Sequence, residues 1–458
     1  MEKLKKGIWD VFWANFLSLL LGLVTGFVLP KILSVDSYAS IKTYQLYISY
    51  IGLLHLGFLD GIYLKFGGME YSEVPKSEFR TPYITFAVFQ SLITIAVIVL
   101  GFIINDDVLL LFAFSIIPLN MLNFYKNIYQ ATGEFGRYKN ILRMNTILTF
   151  FMVLIMLIVF RTDDYRFFLW GYSFVNVIVW IVSEYKAKVA ICEIKYFSIY
   201  ELMCQIKSGI FLMLGNFSSI LLTSMDRWFI KALMNTLTFA EYSFAVSMEN
   251  LLTVAITPIT TTLYNFFCNN NEKRKIMSIR RYVTIASAII AAGAFPVIFI
   301  IEHFLVKYHG SIAVLLILFS SQVLYVPIKG IYVNLYKVEK KQNKYFMGIV
   351  LVVVIGAVLN AALYSLMHIK EAFAIGTLLS ALFWYLLCCF DFNGFGFPIR
   401  EILYSIAEIV LLCLLGYTCP PVIGFIIYSC ISLVLSFVIF PNESGGALRK
   451  IMKFVKYR

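Results

Sequence analysis

Apolar residues along this chain fall into long runs separated by short polar stretches. Fourteen such runs can be marked: 10–33, 38–64, 82–104, 108–129, 141–160, 166–183, 208–230, 239–266, 283–305, 311–332, 346–366, 372–390, 401–418 and 421–440. A helix needs about 20 mostly apolar residues to cross the hydrocarbon core of a bilayer, so each run predicts one transmembrane helix; 372–390 is short. Barrel strands would show segments of about ten residues with alternating polarity instead. The expected fold is an all-α integral membrane protein of about fourteen transmembrane helices. No connection is long enough for a soluble domain.

Composition agrees. Of 458 residues, 60% are hydrophobic and 14% charged, with mean hydropathy +0.83; soluble domains carry about 25% charged residues. The opening "MEKLKK" has the basic start of a signal peptide. Its apolar part exceeds about 20 residues without a small-x-small cleavage site, so it reads as a retained first span.

Charge adds orientation, because Lys and Arg concentrate in cytoplasmic loops. With both termini inside, the N-terminal tail and even-numbered connections hold 30 of the 38 basic residues and the odd-numbered ones 8. The basic stretches include "NEKRKIMSIRR", "KVEKKQNK" and the tail "RKIMKFVKYR". This bias accounts for the net charge of +12 without a nucleic-acid partner. The eight cysteines include no C-x-x-C pair, and only His55, His303, His309 and His368 are present. A zinc site or disulfide framework is not expected. No G-x-x-x-x-G-K-[ST] loop appears, and no cofactor is predicted. The N-x-[ST] matches at Asn216 and Asn442 fall in a span and in the tail and read as chance.

The chain also repeats. A shift of 201 places Asn15 on Asn216, Ser18 on Ser219, Gly22 on Thr223 and Thr25 on Asp226. Both copies open a group of six helices, giving parallel repeats of helices 1–6 and 7–12 and two added helices. The expected organisation is a six-helix bundle over 1–183, a cytoplasmic linker over 184–207, a second bundle over 208–390, and two helices with a basic tail over 391–458. Parallel repeats of this kind hold substrate between the halves.

Candidate chemistry lies where charge and polarity enter the apolar runs. At 100° per residue, Asn216, Ser219, Thr223, Asp226 and Arg227 fall within an arc of roughly 100°, and Asn15, Ser18 and Thr25 repeat the stripe. Small and polar residues on one face of a spanning helix meet protein or water, not lipid. Asp226 and Arg227 compete with a reading as an interfacial pair beside Trp228. Glu249 lies about ten residues into the eighth run, where a carboxylate costs about 2.5–3.5 kcal/mol. An acid there can take up a proton or hold Na⁺; the competing reading is a structural ion pair. Asp60 stands near the inner end of helix 2. Toward the inner side stand Lys65, Lys126, Arg143 and Lys329, with Asn120, Asn123 and Asn127 on one face of helix 4. They would form a cationic cavity wall, although lysines and arginines near helix ends also snorkel. Lys42, Arg227 and Lys231 would form an outer counterpart. Pro118, Pro258, Pro296 and Pro327 permit bends within spans.

The stretches "LLLGLVTGFVLPKILSVDSYASIKTYQLYISYIGLLHLGFLDGIYLKFGG" and "SSILLTSMDRWFIKALMNTLTFAEYSFAVSMENLLTVAITPITTTLYNFF" resemble bacterial polysaccharide repeat-unit flippases of the Wzx type, relatives of MATE exporters and lipid II flippases. In that family the seventh helix carries an Asp-Arg pair, followed by a Tyr-containing start to the eighth. The resemblance covers about 50 residues of each half. It implies a multi-pass protein of the bacterial cytoplasmic membrane that moves undecaprenyl-pyrophosphate-linked oligosaccharide to the outer leaflet, for O-antigen or capsule synthesis. It implies alternating access driven by H⁺ or Na⁺, as an antiporter, or by membrane potential, alongside polysaccharide polymerase and chain-length machinery. By position it assigns Asp60, Arg143, Asp226 and Arg227 to a charged cavity. Helix 1 is not Arg-rich, unlike that of lipid II flippases, which counts against a peptidoglycan precursor. Lys and Arg in a cavity would replace the hydration of a pyrophosphate, and each negative charge exported gains about 2.3 kcal/mol per 100 mV. The alternatives are a MATE-type small-molecule exporter and an O-antigen polymerase or ligase. The second usually needs a large outer loop, which this chain lacks.

Overall fold

A computed structural model of the chain describes residues 22–67, 69–187, 197–269 and 272–446. All regular structure among the described residues is helical. Among the described residues, ten helices are long and apolar enough to cross a membrane, or eleven if the bent pair Val35–His55 and Phe58–Phe66 is one span. Thr236–Asn269 and Ile399–Thr418 are helices at the eighth and thirteenth predicted runs. The first run lies mostly outside the described residues.

Short polar signals set the helix ends. The Ser34 side chain accepts from the Ser37 N–H at the start of Val35–Ser49, and Asp106 accepts from the Leu109 N–H at the start of Asp107–Ala131. Such caps satisfy amides that lack a partner in the first turn. Asn105 and His368 end Lys76–Ile104 and Gln342–Met367 in the left-handed conformation.

The chain divides into two compact units, Met1–Ser224 and Met225–Arg458. The division falls inside the helix Ile199–Leu233. In the first unit, Asp107–Ala131 packs against Phe58–Phe66, Lys76–Ile104 and Tyr165–Ala187. In the second, Ile312–Pro327 packs against Thr236–Asn269, Lys273–Ala291, Glu371–Asp391 and Ile399–Thr418. The span Val306–Val338 has 89% of its most apolar window buried, against 17% for Glu78–Ile104. One helix is therefore central to its unit, and the other faces outward. Large apolar side chains on the outward faces, Phe102, Phe174, Leu366 and Val438 among them, stay exposed. That pattern suits a lipid solvent.

Several of the described runs depart from straight helices, and three bear on the site. Helix 2 breaks at Leu56–Gly57 with a 62° bend. Leu56 has φ 48° and Gly57 φ 86°. A non-glycine residue in that region costs roughly 1–2 kcal/mol. The expected bends at proline differ in detail: Pro118 lies inside a continuous helix, and Thr236–Asn269 runs through position 258. Lys273–Ala291 and Ala294–Phe304 are separated at Ala292–Gly293, three residues before Pro296. Pro327 ends an α-helix and a π-helical turn, Ile328–Tyr332, follows. Such turns are rare and recur at functional positions.

Candidate functional site: two acid clusters, one in each unit

In the first unit the break in helix 2 builds a polar site. The Gly57 N–H donates to His55 Nδ1 at 3.2 Å. Gln90 Nε2 donates to the Leu54 carbonyl at 3.1 Å, and Asn120 Nδ2 donates to Gln90 Oε1 at 2.7 Å. Backbone groups freed within a membrane must find such partners. Asn120, fully buried, supports the break through Gln90. Asp60 follows in the first turn of Phe58–Phe66, where a negative charge suits the helix dipole. It accepts from Asn216 Nδ2 at 3.2 Å and lies 3.9 Å from His55 Nδ1. Broken spans with half-helix ends are where secondary transporters hold ions and substrates.

The second unit holds four ionisable groups in one cluster. Asp226 is 5% exposed. It accepts from the Tyr242 hydroxyl and from the Arg227 N–H. Glu249, seven residues after Tyr242 and so on the same helix face, accepts from Gln322 Nε2. Lys329 lies seven residues beyond Gln322, on the π-helical turn, with Nζ 5.2 Å from the centre of the Tyr325 ring. Asp226, Arg227 and Lys329 all act electrostatically on Glu249. No direct ion pair joins the two acids to the two bases among the described residues. Four isolated charges in hydrocarbon would cost about 10 kcal/mol or more together on insertion scales. Mutual neutralisation and contact with water lower that cost. Glu249, Arg227 and Lys329 keep partial exposure, whereas Asp226 is buried.

The other predicted residues stand apart. Lys65 is exposed at a helix end and pairs with Glu201 at 2.8 Å. Lys126 donates to Asn123 Oδ1 at 3.1 Å. Arg143 is exposed. Asn216, Ser219 and Thr223 lie on an exposed face of their helix; Thr223 donates to carbonyls one turn back, and only Asn216 reaches an acid. Asn15 and Ser18 lie outside the described residues, as does the side chain of Thr25.

Sequence reading missed Gln322, Tyr325 and Gln90, and it marked Tyr242 only as the tyrosine that opens the eighth helix, without a role. A signal for two of them was present. Gln322, Tyr325 and Lys329 recur at i, i+3 and i+7 in an otherwise apolar run, the spacing of one helical face. Nothing local marked Tyr242 as the donor to Asp226, since the contact joins separate helices.

No protein-family model matches the chain, and no curated protein is matched by its sequence. Among solved structures it is similar to the lipid II flippase MurJ in an inward closed conformation, with TM-score 0.66 and 14% identity over 94% of this chain and 99% of that one. It is also similar to a multidrug resistance MATE family transporter of the MOP superfamily, inward-facing, with TM-score 0.56 and 11% identity over 86% of this chain and 95% of that one. At these identities the likeness is one of fold. The chain is a multi-pass membrane protein with the fold of these transporters.

Proposed function

We propose that this chain is a transporter, not an enzyme, and that it flips undecaprenyl-pyrophosphate-linked oligosaccharide repeat units from the cytoplasmic to the outer leaflet of a bacterial membrane. The observation that carries this reading is the cluster of Asp226, Arg227, Glu249 and Lys329. A structural core has little use for four clustered charges of which three, Arg227, Glu249 and Lys329, keep partial exposure, whereas a carrier of an anion needs both signs. The fold shared with a lipid II flippase and a MATE transporter supports a role in transport. The grouping into 1–183, 208–390 and two further helices belongs to the same proposal. The helix 1 run carries Lys31 and no arginine, which favours a polysaccharide unit over a peptidoglycan precursor.

In this mechanism Glu249 and Lys329 neutralise each other at rest. A proton or Na⁺ taken up by Glu249 frees the Lys329 ammonium, and the pyrophosphate takes its place as counter-charge. Loss of that cation on the outer side restores the internal balance and releases the anion, so cation and anion leave together and the net negative charge of the loaded site is driven outward by the membrane potential rather than by antiport. Asp60, with His55 and Asn216, is the matching acid in the first unit. In the first unit the exposed Arg143 offers substrate phosphate a separate contact, and Lys126 and Lys65, engaged with Asn123 and Glu201, offer weaker ones. Polymerase and chain-length proteins take the product on the outer side.

The test is genetic. Deletion of the gene should abolish the surface polysaccharide and accumulate the lipid-linked unit, and the wild-type gene should restore export. Arg143→Ala should fail to restore it while inserting normally. Unchanged polysaccharide in the deletion strain, with new sensitivity to cationic drugs, would favour the small-molecule exporter reading instead.

A further inference from the structure

The helices Phe135–Ile155 and Tyr165–Ala187 pack side by side in the first unit and leave a pocket at one end, against Tyr129 of the preceding helix. Its lining combines the polar Arg137, Asn140, Ser183 and Lys186 with the apolar Ile141, Met144 and Val182. Arg137 is held by aromatic rings, with its guanidinium 4.6 Å from the centre of Tyr71 and 5.8 Å from that of Tyr129. The one carboxylate paired with it is Glu134, at 3.4 Å on the exposed side. Glu184 stands next to this lining but accepts from the Tyr125 hydroxyl. Lys186 enters no ion pair among the described residues. The charged part of the lining is therefore cationic.

The positive bias of the sequence assigns this end to the cytoplasmic side. The connection before Phe135 and the stretch after Ala187 are even-numbered, and Lys188 and Lys195 follow. Basic pockets between transmembrane helices on that side suit anionic lipid head groups. We propose that this pocket binds an anionic phospholipid of the inner leaflet, its phosphate on Arg137 and Lys186 and its chain along Ile141, Met144 and Val182. The shared chemistry is a lipid phosphate, which a lipid-linked substrate would also present, so the two sources must be separated. The inference does not rest on the transport reading. Lipid retention is measured without transport, so either can fail alone.

The experiment is lipid retention by the purified full chain, read by native mass spectrometry in phosphatidylglycerol or phosphatidylcholine, with undecaprenyl diphosphate as competitor. Two charges at about a factor of five each predict roughly 30-fold weaker phosphatidylglycerol binding in the Arg137→Gln/Lys186→Gln variant. Phosphatidylcholine binding should not change. If the double variant does not fold, Lys186→Glu, at an exposed position, carries the test and should weaken phosphatidylglycerol alone. Equal retention by parent and variant would overturn the proposal. So would tighter, Lys186-dependent binding of undecaprenyl diphosphate than of phosphatidylglycerol, which would give the pocket to the substrate.

Discussion

Glu249→Gln should abolish export of the lipid-linked glycan while the protein still folds and inserts. Glutamine has nearly the shape of glutamate and keeps an oxygen for Gln322 Nε2 to donate to. What it loses is the charge that Lys329, Asp226 and Arg227 act on. The stability change should stay within about 1–2 kcal/mol, since one charge-assisted hydrogen bond becomes a neutral one. Export should fall to the level of the deletion strain, because a neutral amide neither takes up a cation nor balances Lys329 in turn. Lys329→Met should fail as well. The double variant, Glu249→Gln with Lys329→Met, removes both signs and should recover any lost stability without recovering export. Surface polysaccharide and thermal unfolding of the same proteins measure the two effects. Normal export by Glu249→Gln would remove this residue from the mechanism.

Gly209→Leu should prevent the first unit from folding. The helix Ile199–Leu233 meets the break in helix 2 backbone to backbone. A Cβ at Gly209 would lie 2.0 Å from the Gly57 oxygen and 2.3 Å from the Gly61 nitrogen, and one at Gly61 would lie 2.2 Å from the Gln205 oxygen. No side-chain rotation relieves a clash with main chain. Overpacking costs about 1–3 kcal/mol where neighbours can shift, so this change should exceed about 3 kcal/mol. Small residues at such contacts let membrane helices approach closely. Here the approach also sets Asn216 beside Asp60. Gly136→Ala is the control, because a Cβ there meets nothing within 4 Å. Its unfolding temperature should not fall, whereas Gly209→Leu should lower membrane yield sharply. Wild-type yield and unfolding temperature in Gly209→Leu would mean that this contact does not hold the unit together.

The sequence made the helices legible because twenty apolar residues in a row have few other uses. It located Asp226 and Glu249 for a similar reason: a charge inside such a run needs an explanation. It did not reveal the break at Leu56–Gly57, since leucine gives no sign of a left-handed conformation and that geometry depends on Gly209, about 150 residues away. The π-helical turns Met156–Phe160 and Ile328–Tyr332 were hidden too, because composition does not distinguish them from α-helix. Asn120 illustrates the limit within the site. Its place on a polar face was readable, but its role in satisfying Gln90 beneath a broken helix comes from contacts between three segments. Lys65 shows the reverse case, where an inner-end lysine pairs with the neighbouring Glu201 at the bundle end.

The most direct measurement is leaflet transfer in proteoliposomes. Purified protein would be reconstituted with a fluorescent undecaprenyl-diphosphate oligosaccharide, and its arrival in the opposite leaflet followed with a membrane-impermeant quencher. The account predicts transfer that accelerates when the receiving side is made positive, as expected for a carried anion at about 2.3 kcal/mol per charge per 100 mV, and none with Glu249→Gln. Transfer at the rate of protein-free vesicles, or equal transfer by parent and variant, would contradict it.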